Sequence, residues 1–199
     1  MVITGIYYAL GLIAGGLAAG YFIKPAWGIP FYILAAFCLN FFRDPDRVIP
    51  GGRVAVSPAD GKIVSVKELS ATQTRVSIFM NVFDVHVNRS PISGVIKDIR
   101  YKPGKFMNAA HDEAATGNEQ NVLTVEGDGT TVVFTQIAGL IARRIICYKQ
   151  PGDTVKAGDR IGLIKFGSRV DVFFGPEWNV KVEPGERVSA GLSILAQRK

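Results

Sequence analysis

The fold is decided by residues 121–137, which have the sequence NVLTVEGDGTTVVFTQI. Two runs rich in valine and threonine flank Gly127-Asp128-Gly129, a pattern typical of antiparallel strands joined by a tight turn. We therefore predict strands over 121–126 and 131–137. Further short β-rich runs, separated by glycines, extend from residue 62 to residue 174, and we predict strands there too, one of them over 83–88. The pattern predicts a mainly β domain, a barrel or sandwich of antiparallel strands.

A short internal repeat adds detail to this prediction. Residues 151–161, PGDTVKAGDRI, and residues 184–194, PGERVSAGLSI, are identical at six of eleven positions. We call them the two PG segments. They are similar to the glycine turns of lipoyl- and biotinyl-type barrels, so we expect lipoyl-like hammerhead features in the β domain.

The first 42 residues differ in character from the rest of the chain, because their one charged residue is Lys24. The stretches 2–23 and 25–42 are uncharged, and a membrane-spanning helix needs about 20 apolar residues. We predict membrane-anchoring helices over 1–42, either two spans or a re-entrant hairpin, and a β domain over 43–199. A cleaved signal peptide is the alternative, but the N-terminus lacks the basic residues that such peptides carry.

The distribution of charge predicts where the β domain lies. Arg43, Arg47 and Arg53 follow the second apolar stretch, whereas Lys24 is alone between the two. By the positive-inside rule, the β domain lies on the cytoplasmic face of the cell membrane. The net charge of +6 suits an anionic lipid surface. Nucleic-acid binding is not expected, since no basic cluster with interleaved aromatics is present. With two cysteines and two histidines, we expect no metal site.

Three local signals carry possible chemistry. Asp60 precedes Gly61 and opens a strand, His86 lies within a run of valines, and Gly167-Ser168 follows a strand directly. Each has a simple structural explanation, respectively a turn, a hydrogen-bonded strand histidine and an ordinary loop. Taken singly, none of them predicts a function.

Taken together, the signals resemble the phosphatidylserine decarboxylase family, in its short subgroup, over most of residues 43–199. Four boxes carry the resemblance: PADG at 58–61, VHVNRSP at 85–91, QIAGLIARRI at 136–145 and FGSRVD at 166–171. Two positions depart from longer members of the family. Arg169 stands where they carry threonine, and Phe83 stands where they carry a second histidine.

The resemblance implies a proenzyme that cuts itself. Ser168 would attack the carbonyl of Gly167, with His86 as the base and Asp60 orienting it in the manner of a Ser-His-Asp triad. The cut between Gly167 and Ser168 would give a β chain, 1–167, and an α chain, 168–199, that remain associated. Ser168 would become a pyruvoyl group, the enzyme's covalent cofactor, which acts as an electron sink. His86 would also return a proton to the product carbon.

The implied reaction is the decarboxylation of phosphatidylserine to phosphatidylethanolamine and CO2 in phospholipid biosynthesis. An ether-linked archaetidylserine is the alternative substrate, and a non-enzymatic, membrane-anchored lipoyl-like adaptor is the alternative class of protein. Arg143 and Arg144 are candidates for binding the lipid phosphate. Residues 106–116 either contact the lipid headgroups or form an ordinary exposed loop, with His111 at the surface. A homodimer is compatible with the sequence.

Overall fold

A computed structural model describes residues 1–107, 109, 113–139, 144–165 and 167–199 of the chain. The chain divides into two compact units, Met1–Asp46 and Arg47–Lys199. The division falls after the polar stretch FRDPD at 42–46, which follows the second apolar run.

The N-terminal unit is a helical hairpin. Helices α1 (Ile3–Phe22) and α2 (Ile29–Phe41) are joined through a 3₁₀ turn at Pro25–Gly28. The backbone N–H of Val2 donates to the carbonyl of Phe42 at 2.9 Å, so the two ends of the hairpin lie together. Among the described residues, α1 is the one helix long and apolar enough to cross a membrane. Its 20 residues extend about 30 Å, the thickness of the hydrocarbon core.

The second unit is mainly β, as predicted. Its strands are β1 (Val54–Val56), β2 (Gly61–Ser70), β3 (Gln73–Met80), β4 (Val87–Arg89), β5 (Gly94–Lys102), β6 (Gln120–Gly127), β7 (Thr130–Ile137), β8 (Ile145–Cys147), β9 (Thr154–Val155), β10 (Arg160–Ile164), β11 (Ser168–Phe174), β12 (Trp178–Val180), β13 (Arg187–Val188) and β14 (Ile194–Arg198). A short helix, α3 (Ala114–Gly117), precedes β6.

Within the described part of the chain, the strands form three antiparallel sheets. The large sheet has the order β13-β2-β3-β11-β7-β6-β5-β9 and curls into a half-barrel around the hydrophobic core. The two small sheets have the orders β1-β14-β12 and β4-β10-β8. The hairpin predicted at 121–137 is confirmed as β6 and β7. Asp128 and Gly129 in its turn both have positive φ, 49° and 68°, as a type I′ turn requires.

The two PG segments have similar φ angles at their corresponding glycines. Gly152 and Gly185 have φ of 95° and 103°, and Gly158 and Gly191 have φ of 81° and 75°. The segments supply β9 and β13, which are the two edge strands of the large sheet. The repeat seen in the sequence therefore corresponds to the two ends of one sheet.

The repeat extends beyond the PG segments, to a second pair that sequence reasoning missed. Residues 57–61, SPADG, and residues 90–94, SPISG, form two turns that we call the SP turns. Each turn lies between a short strand and a long one, β1 and β2 in the first case, β4 and β5 in the second. In each turn the serine Oγ donates to the carbonyl two residues later at 2.7 Å. The β unit is thus built from two similar halves.

Candidate active site

The central strands β3 and β7 end, and β11 begins, at the same end of the large sheet. Strand β3 ends at Met80, which pairs with Ser168 at the start of β11. The next residue of β11, Arg169, pairs with Ile137 at the end of β7. The predicted cleavage site therefore lies at this end of the sheet, between β3 and β7.

Ser168 is fully buried and its side chain points into the core. Because side chains alternate along a strand, it shares a face with Val170 and Val172, which belong to the hydrophobic core. Its Oγ donates to the Sδ of Met80 at 3.5 Å. A thioether is a weak acceptor, so this hydroxyl is held loosely in the uncleaved chain.

Gly167 has a backbone conformation that favours glycine. Its φ is +52°, in the left-handed region that costs other residues about 1–2 kcal/mol. A β-carbon on Gly167 would meet none of the described atoms within 4 Å. Glycine is therefore favoured at this position by backbone conformation rather than by lack of space.

His86 is fully buried and immediately precedes β4. The strand predicted over 83–88 is wrong over 83–86, because the Asn81 side chain forms a turn at the start of this stretch and β4 begins only at Val87. The Oδ1 of Asn81 accepts from the N–H of Phe83 at 2.8 Å, and the N–H of Asn81 donates to Asp84 at 2.9 Å. Phe83, at the position of the second histidine of longer members, is 67% exposed.

The ring of His86 is oriented by the backbone. Its Nδ1 lies 2.9 Å from the carbonyl oxygen of Asp84. A carbonyl can only accept, so Nδ1 carries the proton and Nε2 is the basic nitrogen of the neutral ring. The carbonyl of His86 accepts from Ile164 at 3.3 Å, which brings the histidine opposite the end of β10, just before the Gly167-Ser168 bond.

Asp60 is partly buried and accepts hydrogen bonds from two groups outside its own turn. Its carboxylate accepts from the guanidinium of Arg47 at 3.0 Å and from the backbone N–H of Ala190 at 2.7 Å. Neither bond involves His86. The SP turn that holds Asp60 is nevertheless joined to the histidine segment, because Pro58 accepts from the N–H of Arg89 at 2.8 Å.

The two halves of the domain separate the structural role of Asp60 from any chemical role. In the second SP turn, Ser93 stands where the first turn has Asp60. The Ser93 Oγ accepts from the N–H of Ala157 at 2.9 Å, as Asp60 accepts from Ala190. A hydroxyl therefore suffices for this turn contact, and what the first turn adds is the ion pair between Asp60 and Arg47.

A chain of buried amides leads to Met80, and sequence reasoning missed it. Asn121 donates to Gln136 at 3.0 Å, Gln136 donates to Asn88 at 2.8 Å, and Asn88 donates to the Sδ of Met80 at 3.7 Å. Met80 is the residue that also contacts Ser168. The available signal was the presence of amide side chains inside apolar strand segments, which need internal partners when buried.

Arg169 has the largest fully buried side chain among the described residues of the β unit. Its Nε donates to Asp171 at 2.6 Å and its terminal nitrogen donates to Ser77 at 2.8 Å. Arg75 lies 3.9 Å from the same carboxylate. Arg169 and Asp171 are two positions apart on one strand and so lie on the face opposite Ser168. The departure from threonine at 169 is thus accompanied by a buried ion pair.

Of the two arginines predicted to bind the lipid phosphate, only Arg144 is among the described residues. Arg144 is exposed, and its carbonyl accepts from the N–H of Lys165 at 3.2 Å, beside the connection to Gly167. Arg143 and His111 lie outside the described residues. Phe106 packs against the core rather than standing free at the surface. Within the described ranges, no group of three metal-ligating side chains is found.

The third box, at 136–145, contacts the predicted cleavage site through the residues that follow β7. Gly139 follows this strand, and a β-carbon placed on it would overlap the carbonyl oxygen of Gly167. Backbone contacts therefore connect all four boxes. The first box contacts the second through Pro58 and Arg89, and the second contacts the segment just before the fourth through His86 and Ile164. The third box contacts the fourth through Gly139 and Gly167.

Comparison with known proteins agrees with the family resemblance of the four boxes. The family model for phosphatidylserine decarboxylase matches residues 34–196. A protein of Solibacter usitatus, named phosphatidylserine decarboxylase proenzyme, is 61% identical over 198 residues, which cover 100% of this chain and 97% of the relative. Proteins of the same name from Ralstonia nicotianae and Oleidesulfovibrio alaskensis are 46% and 49% identical, each over 86% of this chain and over 83% and 82% of the relatives.

Proposed function

Because this chain belongs to the phosphatidylserine decarboxylase family, we propose that it is a self-cleaving proenzyme whose mature form converts phosphatidylserine to phosphatidylethanolamine and CO2. The observation that carries the proposal is that backbone contacts connect the four boxes to one another and to the segment around the Gly167-Ser168 bond. A buried serine follows a left-handed glycine there, and a buried histidine lies opposite the preceding strand.

Self-cleavage requires a base, a nucleophile and a carbonyl. We propose that Nε2 of His86 takes the proton of the Ser168 hydroxyl, and that Oγ then attacks the carbonyl carbon of Gly167. The peptide C–N bond breaks and the amide becomes an ester. Loss of the Cα proton of residue 168 expels the Gly167 carboxylate and leaves dehydroalanine, which water converts to a ketone and ammonia. The products are 1–167 and a pyruvoyl-blocked 168–199.

The surroundings of residue 168 suit a group that carries a carbonyl oxygen. The amide chain ends with a donor, Nδ2 of Asn88, directed at Met80 beside residue 168. When formed, the pyruvoyl group supplies an electron sink for the pair released with CO2. The chain's own residues do the rest: Met80 contacts residue 168, Asn88 contacts Met80, and His86 delivers the proton to the substrate carbon that has lost CO2.

The direct test is the intact mass of the purified wild-type protein. We expect fragments 1–167 and 168–199, the second with a ketone that reacts with phenylhydrazine, and CO2 release from phosphatidylserine in mixed detergent micelles. An intact, inactive chain after prolonged incubation would contradict the proposal.

Replacing Asp60 by serine tests whether its charge is needed. We propose that the carboxylate supports the positive charge that develops on His86 during cleavage. Since Ser93 makes the equivalent turn contact in the other half, Asp60→Ser should fold normally. We expect cleavage to slow by about 10³-fold or more, as in triads that lose their acid. The matched control is Ser93→Ala, which should cleave at the wild-type rate, and normal cleavage by Asp60→Ser would refute this role.

Arg144 is proposed to bind the lipid phosphate, since it is exposed beside the connection to the cleavage site. Loss of one charge-assisted hydrogen bond should raise the KM for phosphatidylserine about tenfold in Arg144→Ala, with kcat and self-cleavage little changed. Arg100→Ala, at an exposed arginine of β5, is the control. An unchanged KM in Arg144→Ala would argue against phosphate binding by this residue.

The helical hairpin is proposed to anchor the enzyme, which suits a substrate that does not leave the bilayer. Its apolar helix α1 is long enough to cross the hydrocarbon core. The arginines after α2 outnumber the single Lys24 of the turn, so we propose that the β unit lies on the cytoplasmic face.

A further inference from the structure

Gly139 occupies a crowded position beside the bond that is proposed to break. It is buried, and a β-carbon on it would overlap the carbonyl oxygen of Gly167 and lie 3.3 Å from the β-carbon of Ala109. The Cα of Gly139 and the carbonyl oxygen of Gly167 are therefore in van der Waals contact. This oxygen is the atom that gains negative charge when Ser168 attacks.

Gly167 itself does little to restrict the direction of its carbonyl. A side chain at this position would find open space among the described atoms, and glycine has the widest backbone freedom of any residue. The contact with Gly139 comes from outside this segment and limits how far the carbonyl can rotate. Attack by a hydroxyl succeeds only when the carbonyl presents its face to the nucleophile.

The other half of the domain shows the same arrangement of elements. Strand pairing makes Thr130 the counterpart of Ser168, because Thr130 pairs with the last residue of β6 as Ser168 pairs with the last residue of β3. Thr130 is contacted by Glu177, which follows the central strand β11 as Gly139 follows the central strand β7. The two halves therefore correspond: the segment after β7 lies beside the start of β11, and the segment after β11 lies beside the start of β7.

We propose that Gly139 positions the scissile carbonyl for self-cleavage and that this role ends once the chain is cut. The inference rests on the proposed function, since it concerns the same bond. After cleavage, Gly167 is the C-terminus of 1–167 and its carboxylate is no longer attached to residue 168. Decarboxylation then takes place at residue 168 and does not involve the Gly167 carbonyl. A side chain at 139 should therefore slow cleavage without impairing the mature enzyme.

The test is Gly139→Ala in the full-length chain. Non-bonded carbon and oxygen atoms stay at least about 3.3 Å apart, so the new methyl group must displace the carbonyl by more than about 1 Å. Displacement by about 1 Å from a reactive geometry costs about 10²-fold in rate. We expect cleavage, followed by intact mass, to slow at least 100-fold. We expect kcat per cleaved chain, counted by phenylhydrazine labelling, to stay within about twofold of wild type.

Controls separate this effect from damage to the fold. Gly51→Ala adds a methyl group where no described atom lies within 4 Å and should cleave normally. Ala109→Val fills the same space beside Gly139 from the opposite side, and it should slow cleavage to a smaller extent with kcat per cleaved chain retained. It keeps the proposal testable if Gly139→Ala does not fold.

The outcomes are distinct. Slow cleavage with normal activity per cleaved chain supports the proposal. Wild-type cleavage by Gly139→Ala, or a parallel loss of cleavage, activity and thermal stability in both variants, overturns it. Failure of the wild-type chain to cleave would instead overturn the proposed function, and this inference with it.

Discussion

Replacing Ser168 by alanine is expected to leave one uncut chain of 199 residues with no decarboxylase activity. Without Oγ the ester with Gly167 cannot form, and without cleavage no pyruvoyl group arises. The fold should be almost unaffected, because the hydroxyl's hydrogen bond is a long one to a thioether. We expect a change below about 1 kcal/mol in the free energy of unfolding. Intact mass and CO2 release from phosphatidylserine micelles measure the two effects.

The matched control for this substitution is Ser77→Ala. Ser77 is a buried serine on the neighbouring strand β3, and its hydroxyl accepts from Arg169 instead of lying beside Gly167. The Ser77→Ala chain should cleave fully and lose only the stability of one buried hydrogen bond to a charged group, about 1.5–3 kcal/mol. Fragments ending at Gly167 in Ser168→Ala would show that another group cuts the chain and would rule out the mechanism proposed here.

Replacing Asp171 by asparagine is expected to lower the free energy of unfolding by about 3–5 kcal/mol, the usual cost of removing one partner from a buried ion pair. The Asp171 carboxylate accepts from Arg169 through both oxygens, at 2.6 and 3.3 Å, and Arg75 faces the same group. Arg169 is fully buried, so its charge would lose this carboxylate where water cannot replace it.

The measurement is best made in the Ser168→Ala background, where every variant stays a single chain. Urea unfolding in detergent, followed by near-ultraviolet circular dichroism, gives the change in the unfolding free energy. Asp98→Asn is the control, since Asp98 pairs with an arginine at the surface and should change stability by less than about 1 kcal/mol. Equal stability of the two variants would contradict a structural role for the Arg169–Asp171 pair.

Local patterns in the sequence predicted most of the fold. The hairpin at 121–137 was predictable because turn residues and β-branched runs act over a few neighbouring positions. The PG segments were predictable as a repeat for the same reason. The strand predicted over 83–88 is wrong over 83–86, because the Asn81 side chain accepts a hydrogen bond from the backbone of Phe83 in place of a strand-pairing bond. Apolar periodicity does not reveal this competition.

The sequence by itself determined the family and an apolar N-terminal segment, and it predicted the Gly167-Ser168 bond as the cleavage site, because motif spacing and hydropathy are properties of the linear chain. Only the tertiary structure decided which groups surround that bond. It placed Gly139 against the carbonyl and Met80 against the hydroxyl, tied Asp60 to Arg47 and Ala190, and buried Arg169 against Asp171. Most of these contacts join segments far apart in sequence. Their geometry depends on how the sheet curls and how its strands are ordered, which no local pattern encodes.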